Sequence, residues 1–323
     1  EIAQCLVGSE MCIRDRAYGQ EKKFALYSVA FYNMENLFDT IHDEGKNDYE
    51  YLPNGTNQWN TMKYKAKLKN MSEILSMLST DKLPMGPAII GVSEIENYRV
   101  LEDILKQPAL ADRGYQYVHY EGADQRGVDC AFFYNPKLFE LTNSKLVPYV
   151  YINDTVHKTR GFLIASGNIA GEKMHFIVNH WPSRAAASPA RERAGEQVRA
   201  IKDSLLREDS AAKIVIMGDM NDDPMDKSMA VALGAKRKPA DVGPTDLYNP
   251  WWDTLKKGYG TLMYKGKWNL FDQIVFTGNL LGTDRSTLKF YKHEIFRRDF
   301  MFQKEGKYKG YPKRTQAGGV WLN

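Results

Sequence analysis

Cysteine is scarce: three in 323 residues, with Cys5 and Cys12 in the first sixteen positions and only Cys130 in the body of the chain. A disulfide framework is therefore excluded, and cysteine usage says nothing about compartment. Long hydrophobic runs are missing too. The apolar stretches have strand length, which excludes a spanning helix of about 20 residues. Neither sign of charge dominates: 44 Lys and Arg stand against 40 Asp and Glu, a formal net charge of +4. An anionic substrate is permitted without being demanded, because a dedicated nucleic-acid surface carries a stronger bias. No Gly-rich phosphate loop, internal repeat or low-complexity tract occurs. With 43% hydrophobic and 26% charged residues, the composition is globular, and the length suits one two-sheet sandwich.

Residues 1–16 stand apart. They have neither helical nor strand period, and no apolar core long enough for a signal peptide. This segment reads as a foreign, non-native leader, expected to be disordered, which leaves 17–323 as a single domain. Ala17-Tyr18-Gly19 then has the small-x-small pattern of a signal-peptidase site, which points to an extracytoplasmic (periplasmic or secreted) protein.

Beyond the leader, Phe24–Tyr32, Pro87–Val92, Tyr115–Tyr120, Cys130–Tyr134, Leu146–Ile152, Gly161–Ile169, Met174–Asn179, Ile214–Met217 and Ile274–Thr277 have the length and side-chain content of strands. Tyr64, Leu68, Met71, Leu75 and Leu78 recur at helical spacing and predict an amphipathic helix whose apolar stripe is core. Val100–Leu110 and Ala190–Arg207 predict two more helices. Met225–Trp268 reads mainly as loop, with Pro250 and its neighbours marking turns. The expected fold is α/β: two mixed, mainly antiparallel sheets packed face to face with helices outside.

Strand ends carry a recurrent cargo. Asn33 and Glu35 follow the first strand, and Glu94 follows Pro87–Val92. His180 follows Met174–Asn179, and Asp219 and Asn221 follow Ile214–Met217. Each ending alone has a plain explanation, since Asn and Asp stop strands and a lone His usually sits satisfied in a core. Four together point to convergence where open α/β sheets place ligands. Carboxylates, amides and one imidazole, with no cysteine near, suit Mg²⁺ or Mn²⁺ better than Zn²⁺. A hard cation beside His and Arg suits hydrolysis of a phosphate ester.

FYNMENLFD, GVSEIEN, RGVDCAFFYNP, NHWPSR, GDMNDDP and FDQIVF occur in the order and rough spacing of the endonuclease/exonuclease/phosphatase superfamily, which the chain resembles from about Leu26 onward. The resemblance implies a four-layer α/β sandwich and a Mg²⁺-dependent phosphoesterase. By it Glu94 is the principal metal ligand, with Asn33 and Glu35 beside it. His180 holds the scissile phosphate, Asp219 activates the attacking water, and Asn221 holds water or a phosphate oxygen. Arg126 and Arg184 are candidate phosphate clamps, because a guanidinium can chelate two oxygens; a solvated surface arginine is as good a reading of Arg184. Asp129 reads as structural, and Trp181 as packing beneath His180.

In this superfamily the carboxylate at Asp272 orients a second histidine from a terminal Ser-Asp-His segment. No Asp-His dipeptide occurs here, and His293 is no substitute. The expectation is a chain truncated at its C-terminus and impaired in catalysis. The substrate implied is a nucleic-acid phosphodiester. A lipid or small-molecule phosphoester (sphingomyelinase-like) is the alternative, as is a phosphate-binding protein without turnover. The basic stretch from Lys289 to Arg314 suits a polynucleotide or an anionic membrane as well as plain solvent. Trp251-Trp252 reads as a stacking platform, an interfacial anchor or a packed loop. No stable protein partner is expected.

Overall fold

Alternation along the strands builds the layers. In the computed structural model, which describes residues 6–14, 24–152, 154, 156–317, 320 and 321, strand β2 (Phe24–Leu37) directs Val29 and Phe31 to one side and Ala30 and Tyr32 to the other. The same parity governs β3 (Ile89–Ile95) and β5 (Asp129–Tyr134). With β1 (Leu6–Arg14), β4 (Gln116–His119) and β15 (Lys289–Phe296) they form a six-stranded sheet in the order β15-β1-β2-β3-β5-β4.

A second sheet has seven strands, ordered β10-β11-β14-β9-β8-β7-β6. Its strands are β6 (Glu140–Val147), β7 (Phe162–Ile169), β8 (Glu172–His180), β9 (Lys213–Asp219), β10 (Ala235–Lys236), β11 (Leu247–Tyr248) and β14 (Asp272–Thr277). A ribbon of β12 (Leu262–Tyr264) and β13 (Lys267–Asn269) stands beside it. The β2–β3, β8–β9 and β10–β11 pairs are parallel and the remaining ladders of the two sheets antiparallel, so both are mixed and mainly antiparallel.

Three cores follow. Val29, Phe31, Ile89 and Phe132 meet Phe176, Val178, Val215 and Met217 between the sheets. The outer face of the first sheet, through Tyr32, Ile90, Val92 and Phe133, is covered by helices α1 (Thr61–Ser76) and α2 (Tyr98–Leu105). The outer face of the second, through Ile164, Ile177, Ile214 and Ile216, is covered by α3 (Ser188–Glu208). Helix α1 begins where Asn60 accepts a hydrogen bond from Lys63 N, and α2 where Asn97 accepts from Arg99 and Val100 N. These are the four layers, helix on sheet on sheet on helix. Among the described residues no helix is long and apolar enough to cross a membrane.

Two expectations change. Leu6–Arg14 does not stand outside the fold as a disordered leader: β1 pairs antiparallel with β2, Val7 opposite Phe31, and with β15, Leu6 opposite Phe296. Ladder pairing engages backbone groups, so a segment with no side-chain period can still fill the space between two strand edges. Trp251 opens a short helix, α4 (Trp251–Lys256), and is fully buried, with its Nε1 donating to the Ile274 carbonyl at 2.8 Å. It is no stacking platform. Ala17-Tyr18-Gly19 and Gly318-Gly319 lie outside the described residues.

Candidate active site

The inner parity of each strand, followed to its C-terminal end, leads from the inter-sheet core to a polar side chain. Val29 and Phe31 lead to Asn33; Phe176 and Val178 lead to His180; Val215 and Met217 lead to Asp219. Strand β14, antiparallel to β9, brings Asp272 opposite Asp219 in the ladder, and β8 brings His180 opposite it on the other side.

Glu94 reaches the same place by breaking the rule. Parity would turn it outward with Ile90 and Val92. Instead β3 loses its register between Ser93 and Ile95 against β5, and Glu94 takes φ 59°. A bulge of this kind re-aims a side chain. Glu35, Asn36 and Asn221 share the left-handed conformation, so four of the seven non-glycine residues at positive φ among those described stand at this rim. Such strain persists only where the surroundings over-determine it, and it clusters at functional sites.

The side chains meet. Asn33 Nδ2 donates to Glu94 Oε1 and to Asp219 Oδ2, each at 3.0 Å. His180 Nε2 lies 3.8 Å from Glu94 Oε1 and 4.0 Å from Asp219 Oδ2. Asn221 N donates to Asp219 Oδ1 at 2.9 Å, and its side-chain amide to the Trp181 carbonyl at 3.0 Å. Glu94, His180, Asp219 and Asn221 line a cleft of about 410 Å³ with Glu35, Arg126, Arg160 and Arg314.

Electrostatics are polarised at this point. Burial pushes Asp219 up to about 6, and the Glu94 charge adds to that against the hydrogen bond from Asn221 N. Asp272 is raised well above the carboxylate range, by burial first and then by the charge of Asp219. Among the described residues neither of its oxygens has a donor in good hydrogen-bond geometry. Burial, then the charges of Arg160 and Arg126, hold His180 well below its ordinary value, so its imidazole is neutral near pH 7. One ligand atom each from Glu94, His180 and Asp219 lies within 4.8 Å of the others. Two crowded carboxylates and a neutral imidazole fit a divalent cation, which would relieve the repulsion that raises Asp219.

Not every expected residue joins them. Asn33 offers the cluster its NH₂, because its Oδ1 accepts from Glu35 N at 2.8 Å; it positions the carboxylates. Glu35 reaches the cleft wall, but its carboxylate is engaged by Arg314 Nε at 3.2 Å and Thr315 N at 2.7 Å, away from the metal cluster. Arg126 lines the cleft and, among the described residues, pairs with Asp124 at 3.6 Å. Arg184 does not: its guanidinium stacks on Phe271 at 4.3 Å and pairs with Asp222, Asp223 and Asp226. Three carboxylates within reach outcompete the mouth of the cleft. Asp272 lies behind Asp219 and out of the lining. Trp181 is buried against the α3 side of its sheet. His293 bonds Thr254 at 3.0 Å and packs on Trp251.

Arg160 is the residue that patterning missed. It is buried, donates to the His180 and Trp181 carbonyls at 3.3 and 3.0 Å, and pairs with Asp124 at 2.9 Å. Its one signal was a charge just ahead of an apolar strand.

The model of the Endonuclease/Exonuclease/phosphatase family matches residues 28–323. Among solved structures the chain is similar to ANGEL2, a 2′,3′-cyclic phosphatase, at 10% identity over 86% of this chain and 85% of that one, with a TM-score of 0.53. It is also similar to a humanized D. rerio TDP2 carrying 14 mutations, at 13% identity over 77% and 82%, with a TM-score of 0.50. At these identities the likeness speaks for the fold. No curated protein matches the chain.

Proposed function

The chain belongs to the endonuclease/exonuclease/phosphatase family, and on that premise we propose that it is a Mg²⁺-dependent phosphodiesterase acting at the Glu94–His180–Asp219 cleft. The observation that carries this reading is the meeting of Asn33, Glu94, His180 and Asp219, remote in sequence, at one end of the inter-sheet core. A cation held by Glu94 and Asp219 supplies charge stabilisation at a phosphoryl oxygen.

The protein groups do the remainder. Asp219, anionic above about pH 6, accepts the proton of the attacking water, while Asn221 N fixes one of its oxygens. Neutral His180 donates from Nε2 toward a phosphate oxygen and stabilises the charge that grows there. Arg126, paired with Asp124, clamps the phosphate at the mouth. Arg160 acts through others: it ties the His180 backbone to the loop of Asp124.

Nucleic acid is the substrate of the first reading. A lipid or other amphipathic phosphoester is the second, supported by a groove of about 300 Å³ that shares Glu35 and Arg314 with the cleft and is lined by Met71, Ile74, Met77, Phe300 and Met301. Hydrolysis of an aryl phosphodiester, plasmid, single-stranded DNA, sphingomyelin vesicles and inositol phosphates, each with Mg²⁺ and with EDTA, tests both. No Mg²⁺-dependent turnover of any of them would refute the proposal. Turnover confined to vesicles would select the second reading.

A further inference from the structure

A second group of metal-ligating side chains stands outside the cleft. His119 closes β4, Glu121 lies two residues further on, and Asp129 opens β5. Residue 119 pairs with Ala131 across the β4–β5 ladder, so strand periodicity places 119, 121, 129 and 131 on one face. It is the face of Tyr117 and Phe133, turned toward the helices, whereas Asn33, His180 and Asp219 lie between the sheets.

One atom each from His119, Glu121 and Asp129 lies within 4.8 Å of the others. His119 and Asp129 each expose only 4% of their side chains. His119 Nε2 comes within 3.4 Å of Asp129 Oδ2, yet among the described residues that nitrogen has no hydrogen-bond partner. It is a buried imidazole nitrogen aimed into the group and left unsatisfied. The loop wraps the carboxylate closely: Gly122 N donates to Asp129 Oδ2 at 3.0 Å, and a Cβ on Gly122 would stand 2.1 Å from Oδ1. Burial first, opposed by His119, and then the Asp129 charge raise the Glu121 carboxyl. Lys46 does not fill the space; its Nζ takes the Gly122 and Asp124 carbonyls at 3.1 and 3.4 Å. Glu121 and Gly122 border an open pocket of about 510 Å³.

We infer that His119, Glu121 and Asp129 form a second divalent-cation site, separate from the catalytic cluster, that pins the 121–128 loop to β5. One imidazole with two carboxylates suits a transition-metal ion of the Zn²⁺ or Mn²⁺ kind. The loop so pinned carries Asp124, the partner of Arg160, and Arg126, so the ion fixes one wall of the cleft from behind. This site does not depend on what the cleft hydrolyses.

Metal counting on the full chain tests it. Protein stripped with EDTA is dialysed against Zn²⁺ or Mn²⁺, and bound ions are counted by plasma mass spectrometry for wild type, Glu121→Gln, His119→Gln and Asp219→Asn. Glu121→Gln is expected to bind one ion fewer than wild type while keeping an unchanged melting temperature in EDTA. Asp219→Asn is expected to lose a different ion, so that Glu121→Gln combined with Asp219→Asn binds none. Glu121 is exposed, so this variant folds even if His119→Gln does not. Equal ion counts in wild type and Glu121→Gln would overturn the inference, as would a doubly substituted chain that still binds an ion.

Discussion

Asp219→Asn should make the metal-free protein more stable while removing its response to Mg²⁺. Asp219 is 3% exposed, and its pKa is raised from 3.8 to about 6 by burial, with Glu94 adding to it. A raised carboxyl contributes its stability below its ordinary pKa and loses it as pH rises through the folded value. Above about pH 6 the metal-free wild type therefore carries a buried charge worth about 3 kcal/mol, at 1.36 kcal/mol per pKa unit. Asparagine bears no charge, and its one acceptor oxygen keeps the hydrogen bond from Asn221 N but not also that from Asn33 Nδ2, which offsets about 1 kcal/mol of the gain. For a chain of this size 3 kcal/mol is about 5 °C in Tm. Mg²⁺ at a hundred times its Kd should add about 2.7 kcal/mol to wild type and nothing to the variant. Calorimetry at pH 7.5 in EDTA should thus find the variant melting higher, and in Mg²⁺ the gap should narrow or close. At pH 5 in EDTA, between the ordinary pKa and the folded one, the gap should fall to about half, and below pH 3.8 the two should converge. A variant that melts below wild type at pH 7.5 in EDTA, or that keeps the full Mg²⁺ shift, would refute the reasoning.

Other outcomes follow from single contacts. His180→Gln should lower kcat by on the order of 10²–10³ with little change in KM, read on an aryl phosphodiester, because its Nε2 acts on developing charge. Arg184→Ala should leave KM unchanged and lower stability in urea by about 1 kcal/mol, since its partly exposed ion pairs lie outside the cleft. A rise in KM would return it to the phosphate. Lys67 is buried beneath Glu35, its amine donating to the Glu35 carbonyl, and burial lowers its pKa from 10.5 to about 8. Wild type should therefore gain on Lys67→Met as pH rises from 8 to 10.5, where the unfolded chain holds more protons; the opposite trend in urea titrations would refute it. Gly218→Ala puts a methyl 2.3 Å from the Asn179 carbonyl, so β8 and β9 must part just where His180 faces Asp219. Stability and Mg²⁺ binding should fall together, and a native melting curve would count against this.

Apolar alternation told most of the architecture, because period two in Val29–Phe31 and Val215–Met217 is the direct imprint of a strand between two cores. The recurrence of polar groups at strand ends told that Asn33, His180 and Asp219 could converge, and not which way each would point. It could not give what depends on contacts remote in sequence. Arg184 reads as a phosphate clamp until Asp222, Asp223 and Asp226 are seen around it. Glu35 reads as a ligand until Arg314 and Thr315, some 280 positions away, arrive to hold it. Arg160 escaped notice because its partners, two backbone carbonyls and the carboxylate of Asp124 36 positions away, leave no trace in local composition. β1 pairs by backbone ladder bonds on both edges, and ladder bonds leave no side-chain pattern to announce them.

The irregularity at Glu94 bears on any attempt to rebuild this pocket elsewhere. Copying the five side chains onto an ordinary pleated scaffold would leave Glu94 facing the helices, a sheet's thickness from its companions. What has to be transplanted is a count of backbone atoms, one residue more on β3 than β5 needs. Deleting a single amino acid there would swing the acid out of the pocket while leaving every named group in the chain.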